Sequence, residues 1–219
     1  MKRIITILAP HFDDEFLGCS ELIKKNHKLI KNIIFITDSH IEVPYHFSPI
    51  YCTSKLRCSE SYDWLDQFEL AKRMQFLNIP DSFNYEFIYD KSYFYYKSFV
   101  EKYKVTPLNF WRNRILKLSG DIIVCPEIDD QNHAAHQLTK NLCTFTRKNK
   151  NKSIIYYNAY NTNKYHSIIN THNKEREFKK FYPDTYKNLK ESNYNFNFDH
   201  EIYIYNKKEI NINLWGENG

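Results

Sequence analysis

The feature that most constrains the fold is an apolar run followed by a short acidic turn and an amphipathic segment. Residues 3–9 form a largely continuous apolar run, which predicts a buried parallel strand. Residues 16–25 carry apolar side chains at helical spacing. A strand that leads through a tight turn into a helix is typical of α/β proteins with parallel sheets. We therefore expect the first strand to be a buried parallel strand of such a sheet.

The turn between these two elements contains His11, Asp13, Asp14 and Glu15. Open α/β sheets bind their ligands at the carboxyl ends of the strands, where this turn is predicted to lie. Neighbouring carboxylates raise each other's pKa, so a cluster of them indicates a bound cation. The alternative is a solvated acidic turn in which Asp13 or Asp14 caps the following helix.

A second cluster follows another predicted buried strand, at residues 121–126. It contains Asp129 and Asp130, then His133 and His136, which are three residues apart and share one face of a helical turn. Alone, such a histidine pair is more often found on the surface. Two His/Asp clusters, each directly after a predicted parallel strand, favour one shared metal site.

Together the two motifs resemble the PIG-L family, also called LmbE-like proteins, which are zinc-dependent de-N-acetylases of sugar conjugates. The family signature is Ala-His-Pro-Asp-Asp-Glu after the first strand, with His-x-x-His later in the chain. Here residues 9–15 read Ala-Pro-His-Phe-Asp-Asp-Glu, and residues 133–136 read His-Ala-Ala-His. The resemblance extends to about residue 142. It implies a three-layer, Rossmann-like α/β fold with a mostly parallel sheet.

The resemblance also implies a metal centre with three protein ligands, His11, Asp14 and His136. Three ligands leave an open position for water or substrate, as a catalytic metal site requires. Two imidazoles and one carboxylate suit Zn²⁺ best, and Fe²⁺ or Co²⁺ fits the same donors.

The family's other site residues correspond to four positions of this chain. Asp13 would be the general base that takes a proton from the attacking water, and His133, if protonated, would stabilise the oxyanion. Glu15 would orient a ligand or a backbone amide. Asp90 stands where the family often has an aspartate closing a strand, and is the candidate substrate-binding residue.

One departure from the family pattern concerns His133. The family's aspartate between the two histidines, which would raise the pKa of His133, is replaced here by Ala135. Either Asp129 or Asp130 supplies the missing charge, or His133 is mostly neutral and turnover is poor.

The second departure concerns a helix between the two motifs. Residues 69–79 resemble the family helix that ends in Leu-Gly-Val, and the family often has an arginine three residues before the glutamate of that helix. With Glu69 in that place, the corresponding residue is Asp66. We therefore expect no substrate contact from this helix.

The remaining chain is predicted to alternate strands and helices. The expected elements are a strand over 29–37, a long loop over 41–62, a helix over 63–78, a short strand over 84–89, a helical region over 91–118 interrupted at Pro107, a strand over 154–157, a polar loop over 161–173, helical segments over 174–190 broken at Pro183, and an edge strand over 201–205.

Composition predicts one soluble domain spanning residues 1–219. The net charge of +5 is modest and the basic residues are scattered, which argues against nucleic-acid binding. P-loop and dinucleotide-binding fingerprints are absent, and no apolar stretch approaches the length of a membrane-spanning helix. Five cysteines without a Cys-x-x-Cys pair indicate buried thiols in a reducing compartment, hence a cytoplasmic protein.

These observations lead to a metal-dependent hydrolase that removes an N-acetyl group from an amino sugar or sugar conjugate, of the N-acetylglucosamine type. The expected partner is this small molecule, and the basic residues would favour a phosphate-linked form. Two other interpretations remain open: a related metal amidase that acts on another amide conjugate, and a non-catalytic sugar- or phosphate-binding relative. Ala135 is the strongest argument for the last one.

Overall fold

The apolar runs of the sequence become neighbouring strands of one sheet. The structure, a computed structural model, describes residues 3–37, 54–79, 107–127, 134–150, 152–158, 167–191 and 198–205. In chain order the elements are β1 (Ile5–Ala9), α1 (Asp14–Asn26), β2 (Ile30–Thr37), α2 (Ser54–Asp66), β3 (Met74–Ile79), α3 (Pro107–Leu118), β4 (Ile122–Pro126), α4 (Ala134–Lys150), β5 (Ser153–Asn158), β6 (Ser167–Asn170), α5 (Lys174–Phe181), α6 (Pro183–Glu191) and β7 (His200–Tyr205).

The strand order of the sheet is β3-β2-β1-β4-β5-β7-β6. The strands from β3 to β5 run parallel, whereas β7 is antiparallel to both of its neighbours. From β1 the chain proceeds outward to β2 and β3, and it then returns to place β4 on the other side of β1. The carboxyl ends of β1 and β4 therefore flank the point where the strand order reverses, which is where open α/β sheets bind ligands.

Helices cover both faces of the sheet, so the expected three-layer, Rossmann-like α/β fold is confirmed. Two separate apolar cores mark the two faces. One core joins the sheet to α1, α2, α5 and α6, and the other joins it to α3 and α4. Typical members of the first core are Phe16, Trp64 and Phe178, and typical members of the second are Trp111 and Leu142.

The predicted helix over 63–78 is wrong beyond Asp66. Helix α2 ends at Asp66, and residues 74–79 form β3, which pairs with β2. Glu69 has a left-handed φ of 58°, which turns the chain between the two elements. The apolar residues at 74, 77 and 79 are buried in the sheet, so tertiary pairing overrides their helix propensity. The predicted loop over 41–62 is also wrong from residue 54 onward, because those residues belong to α2.

Two further predictions fail near the carboxyl end. The polar loop over 161–173 contains strand β6, and β7 is not an edge strand because it pairs with both β5 and β6. Both errors arise because strand pairing between distant segments leaves no local signal. The predicted break at Pro183 is confirmed, since α5 ends at Phe181 and α6 begins at Pro183. Residues 84–106 lie outside the described part of the chain.

A buried polar network fixes α5 and β7 to helix α1. Glu201 of β7 is fully buried and accepts hydrogen bonds from Ser20 Oγ and Tyr203 Oη, each at 2.6 Å. Lys174 Nζ lies 3.4 Å from Glu201 Oε1 and donates to the Leu17 carbonyl at 2.6 Å. The charge of Glu201 is thus compensated inside the protein, as a buried carboxylate requires.

Helix α1 approaches the sheet closely at Gly18. A Cβ atom at this position would lie 2.1 Å from Cδ2 of Tyr157 on β5. The Tyr157 ring is fully buried, and its hydroxyl donates to the Leu8 carbonyl at 3.3 Å. The ring is therefore held in place, and only glycine allows this distance between helix and strand.

Among the helices of the described residues, none is both long and apolar enough to cross a membrane.

We expect Gly18→Ala to lower the free energy of unfolding by about 1–3 kcal/mol, because the added methyl group overlaps the Tyr157 ring. The expected change is a net loss, in which the gain of about 1 kcal/mol in helix propensity is already included. Urea denaturation measures the change. Lys25→Ala, at an exposed position of the same helix, is the control and should change stability by no more than about 0.5 kcal/mol. A Gly18→Ala variant as stable as the parent would contradict the packing described here.

Candidate metal centre

The turn between β1 and α1 is fixed to the neighbouring strands. The backbone N–H and the hydroxyl of Thr37, at the end of β2, both donate to the Pro10 carbonyl, at 3.0 and 2.8 Å. Phe12, which stands where the family has proline, is 3% exposed, and its ring packs 4.7 Å from Phe35 and 5.8 Å from Phe76. Phenylalanine in place of the family's proline is thus accommodated by apolar packing against β2 and β3, which holds the turn in position.

The structure brings His11, Asp14 and His136 together. His11 comes from the turn after β1, Asp14 is the first residue of α1, and His136 lies in the first turn of α4. One donor atom from each residue can be chosen so that all three lie within 4.8 Å of one another. The exposed fractions are 7%, 4% and 3%, so the cluster is buried.

The distances within this cluster are close to those around a divalent metal ion. Asp14 Oδ1 lies 3.4 Å from His136 Nε2, and Asp14 Oδ2 lies 3.1 Å from His11 Nδ1. Ligand atoms around a tetrahedral ion with bonds of about 2.1 Å are separated by about 3.4 Å. The two short distances belong to different oxygens of Asp14, and one donor from each residue lies within 4.8 Å of the others, so the side chains would have to move closer together to surround one zinc or similar ion.

The electrostatics of Asp14 also favour a ligand role. Burial alone would raise the pKa of this carboxyl group. The charge of His136 and the hydrogen bonds from His11 and His136 outweigh that effect and hold the pKa well below its usual range. Asp14 is therefore a carboxylate at neutral pH, which is the form that binds a cation.

Asp13 occupies the N-cap position of α1 in an uncommon conformation. Its φ of 132° lies in a region that residues other than glycine rarely adopt. Within the described residues its side chain makes no capping hydrogen bond. Instead Oδ2 accepts a hydrogen bond from Arg57 Nη2 of α2, at 2.9 Å. Strained residues of this kind persist only where their surroundings hold them, and they are common at active sites.

Burial raises the pKa of Asp13 to about 6, and the adjacent Asp14 acts in the same direction. The guanidinium of Arg57 acts against this rise and keeps the pKa from going higher. A carboxyl group with this pKa is mostly ionised at pH 7 and still basic enough to accept a proton. These are the properties that a general base needs.

Glu15 connects Asp13 to the carboxyl-terminal part of the chain. Its side chain is fully buried, and Oε2 accepts a hydrogen bond from the Asp13 backbone N–H at 2.9 Å. Oε1 accepts a hydrogen bond from the Tyr182 hydroxyl at 2.6 Å. Burial raises the pKa of Glu15 to about 7, although the Tyr182 hydrogen bond favours the ionised form. Glu15 thus contacts a backbone amide of the turn.

Helix α2 carries an arginine that was not identified from the sequence. Arg57 lies three residues before Glu60, which is the spacing expected in the family, whereas the sequence comparison used residues 66 and 69 for that pair. Arg57 was overlooked because residues 41–62 were predicted to be a loop, and the expectation of no substrate contact from the helix stays a prediction. Glu60 is 5% exposed and accepts hydrogen bonds from the Asp184 backbone N–H at 2.9 Å and the Thr185 hydroxyl at 2.5 Å. It thereby caps α6.

Several candidate residues from the sequence lie outside the described part of the chain. These are Asp90, Asp129, Asp130 and His133, and their roles remain predictions. Ala135, which replaces the family's aspartate between the two histidines, is fully buried in α4. Sequence reasoning missed Arg57 and Tyr182. For Arg57 the Arg-x-x-Glu spacing was an available signal, whereas Tyr182 meets Glu15 only in the folded chain.

No protein-family model matches the chain, and no curated protein matches it. Solved structures do match its fold. A deacetylase in complex with teicoplanin, from the teicoplanin biosynthesis pathway, has a TM-score of 0.56 at 11% identity, over 92% of this chain and 97% of that one. A zinc-inhibited form of teicoplanin deacetylase has a TM-score of 0.53 at 14% identity, over 84% and 85%.

Two further solved structures with this fold are a second deacetylase and a hydratase. The N,N'-diacetylchitobiose deacetylase from Pyrococcus horikoshii has a TM-score of 0.54 at 13% identity, over 92% of this chain and 83% of that one. A 4-carboxy-2-hydroxymuconate hydratase from Pseudomonas putida has a TM-score of 0.53 at 10% identity, over 93% and 95%. At these identities the similarity establishes the fold and leaves the activity to be argued from the site.

The topology and the buried His-Asp-His cluster define an α/β protein with a candidate metal centre at the point where the strand order reverses. Its fold is that of the PIG-L/LmbE-like deacetylases, so the resemblance seen in the sequence is confirmed at the level of the fold.

We expect Arg57→Gln to raise the pKa of Asp13 above its value of about 6, because the substitution removes the charge that counteracts burial. A smaller fraction of Asp13 is then ionised at pH 7. A carboxyl NMR titration of the metal-free protein measures the shift. Lys55→Gln removes one positive charge from an exposed position of the same helix, and should leave the pKa of Asp13 unchanged. An equal shift in both variants would show that only the overall charge matters.

Proposed function

We propose that the chain is a PIG-L/LmbE-like, metal-dependent de-N-acetylase that removes the acetyl group from an amino sugar or sugar conjugate. The observation that carries this proposal is the buried cluster of His11, Asp14 and His136 with Asp13 beside it. The deacetylases that share the fold support the proposed reaction. One of them is a teicoplanin deacetylase, and another acts on N,N'-diacetylchitobiose.

In this proposal His11, Asp14 and His136 hold the metal ion. When bound there, a divalent ion would act as a Lewis acid, which would lower the pKa of water to ~7 and polarise an amide carbonyl. Zn²⁺ is the first candidate because of the donor set. Since one structure of the same fold is a zinc-inhibited form, Fe²⁺ and Co²⁺ belong in the same screen.

The proton transfer and the stabilisation of the oxyanion are assigned to different residues of the chain. Asp13 takes a proton from the attacking water, while Arg57 keeps its carboxylate ionised and oriented. We propose that a protonated His133 donates a hydrogen bond to the oxyanion that forms on the carbonyl, and that Asp129 or Asp130 supplies the charge that the family's aspartate would supply. The carbon–nitrogen bond of the acetamide breaks, the nitrogen receives the proton, and acetate and a free amine leave.

The proposed substrate is an N-acetylglucosamine-type sugar, and Asp90 is the proposed contact to it. A phosphate-linked form is favoured because the chain carries a net charge of +5. The cysteines of the described residues, Cys19, Cys58, Cys125 and Cys143, are all free thiols. This is consistent with the cytoplasmic location that we propose.

A second candidate is suggested by the hydratase of the same fold, since a hydratase also uses water as a reactant. The product separates the two candidates, because a deacetylase releases acetate and a hydratase does not. A metal amidase that cleaves another amide conjugate would differ only in the acid or amine released. The non-catalytic alternative rests on Ala135, and it predicts that Ala135→Asp gives no gain of activity.

We expect the protein purified without chelators to contain about one divalent ion per chain, because the three donors are already close together. His136→Ala should lose this ion, since the site then keeps only two protein ligands. Metal analysis by mass spectrometry provides the measurement. His172→Ala, which removes an exposed histidine, is the matched control and should retain the metal. A parent protein that stays metal-free with added Zn²⁺, Fe²⁺ and Co²⁺ would contradict the hydrolase mechanism.

We expect Asp13→Ala to reduce turnover by about 10²- to 10⁴-fold while the metal stays bound, because it removes the base without removing a ligand. Acetate release from N-acetylglucosamine, its phosphate-linked forms and diacetylchitobiose is the assay. Asp66→Ala, at an exposed position of α2, is the control and should keep full activity. Full activity in Asp13→Ala would remove Asp13 as the base. A metal-loaded parent that releases no acetate from any of these sugars would favour the alternatives.

A further inference from the structure

We propose that Tyr182 is a positioning residue for Asp13 and that it acts through Glu15. Tyr182 lies in the carboxyl-terminal third of the chain, outside the region in which the sequence resembles the PIG-L family. The consequence for catalysis rests on the proposed function of Asp13. The structural effect on the Asp13 backbone can be measured without any activity.

Two hydrogen bonds in series make the connection. The Tyr182 hydroxyl donates to Glu15 Oε1 at 2.6 Å, and the Asp13 backbone N–H donates to Glu15 Oε2 at 2.9 Å. Both carboxyl oxygens of Glu15 therefore have a fixed donor. Glu15 and Tyr182 are fully buried, so water from bulk solvent does not compete for these bonds. Hydrogen bonds in such a buried, low-dielectric environment are stronger than the same bonds in water.

The Asp13 backbone is the part of the turn that most needs such support. Its φ of 132° is strained for a residue with a Cβ, and strain of this kind costs about 1–3 kcal/mol. The bond from the Asp13 N–H to Glu15 restrains the peptide unit that sets this φ. If Glu15 moves, the backbone can relax and carry the Asp13 carboxylate away from its contact with Arg57.

Tyr182 is itself rigidly held, which makes it suited to position another group. Its ring stacks on Phe178, with centroids 4.9 Å apart, and meets the edge of Phe16 at 5.4 Å. It also sits at the junction of α5 and α6, where its backbone N–H donates to the Phe178 carbonyl at 2.7 Å. Beyond the junction, Thr185 is bonded to Glu60 of α2. The position of the hydroxyl is thus fixed by contacts of the ring and by hydrogen bonds of the backbone at the α5–α6 junction.

Tyr182→Phe tests the proposal because it removes only the hydroxyl and leaves the ring contacts in place. We expect kcat to fall by about 10- to 100-fold with KM within about twofold of the parent, since small displacements of a catalytic group have effects of this size. KM should change little because Tyr182 contacts Glu15 and not the substrate.

Tyr203→Phe is a closely matched control. Tyr203 is also fully buried, and its hydroxyl also donates to a buried glutamate, Glu201, at 2.6 Å. The two variants remove the same group from the same kind of environment, so they should lose similar thermal stability. Tyr203→Phe should nevertheless keep kcat within about twofold of the parent, because Glu201 does not contact Asp13. An equal loss of kcat in both variants would overturn the proposal in favour of general destabilisation.

A double-mutant cycle with Glu15→Gln tests whether Tyr182 acts through Glu15. If both residues lie on one path to Asp13, the double variant should lose no more than about twofold beyond the worse single variant. Additive losses would mean that Tyr182 acts by another route, which contradicts the proposal.

Metal affinity, measured by competition titration, should stay within about threefold in Tyr182→Phe. A parallel loss of metal affinity and activity would mean that Tyr182 acts on the positions of the metal ligands. That result would overturn its proposed role toward Asp13.

Amide hydrogen exchange separates this proposal from the proposed function. In the metal-free protein, the Asp13 amide should exchange at least about tenfold faster in Tyr182→Phe than in the parent, and at the parental rate in Tyr203→Phe. This result stands even if no acetylated sugar is a substrate, in which case only the proposed function fails. An unchanged exchange rate in Tyr182→Phe would overturn the positioning role even in a fully active deacetylase.

Discussion

Asp13, Asp14 and Glu15 carry three consecutive carboxyl groups into the protein interior, and each of them needs its own compensating partner. None of the three is more than 4% exposed, so water cannot stabilise their charges. Asp13 is bonded to a guanidinium, Asp14 to two imidazoles, and Glu15 to a tyrosine hydroxyl and a backbone amide. These partners come from four different parts of the chain. The turn after β1 is therefore the place where α2 and the α5–α6 junction of one face meet α4 of the other face.

The sheet topology explains why so few elements suffice to build the centre. Because β1 and β4 are neighbours and the chain leaves them in opposite directions, their carboxyl ends are not covered by a crossover connection. His11 and Asp14 follow β1, and His136 begins the helix after β4. The helix α2 then brings Arg57 to the same edge from the neighbouring side. Solved structures of this fold include deacetylases and a hydratase, so the fold alone does not decide the reaction.

The parts of the site that could be predicted from the sequence are those that follow directly from a strand. His11 stands two residues beyond β1 and His136 ten residues beyond β4, and the resemblance to the PIG-L family then identified both as candidate ligands. Arg57 was missed because the apolar residues of α2 do not form a clear stripe, and the segment was interpreted as a loop. Residues 74–79 were misassigned because their pairing with β2 decides their conformation. Tyr182 had no local signal at all, since its meaning depends on a contact with a residue far away in the chain.

The contact between Tyr182 and Glu15 has a consequence for how the protein is made. Synthesis proceeds from the amino end, so the three clustered donors are complete once residue 136 has been added. The hydroxyl that reaches Glu15 is added later, as is Thr185, which is bonded to α2 through Glu60. A chain that ends before residue 182 therefore lacks the hydroxyl that holds Glu15, and with it the support for the Asp13 backbone.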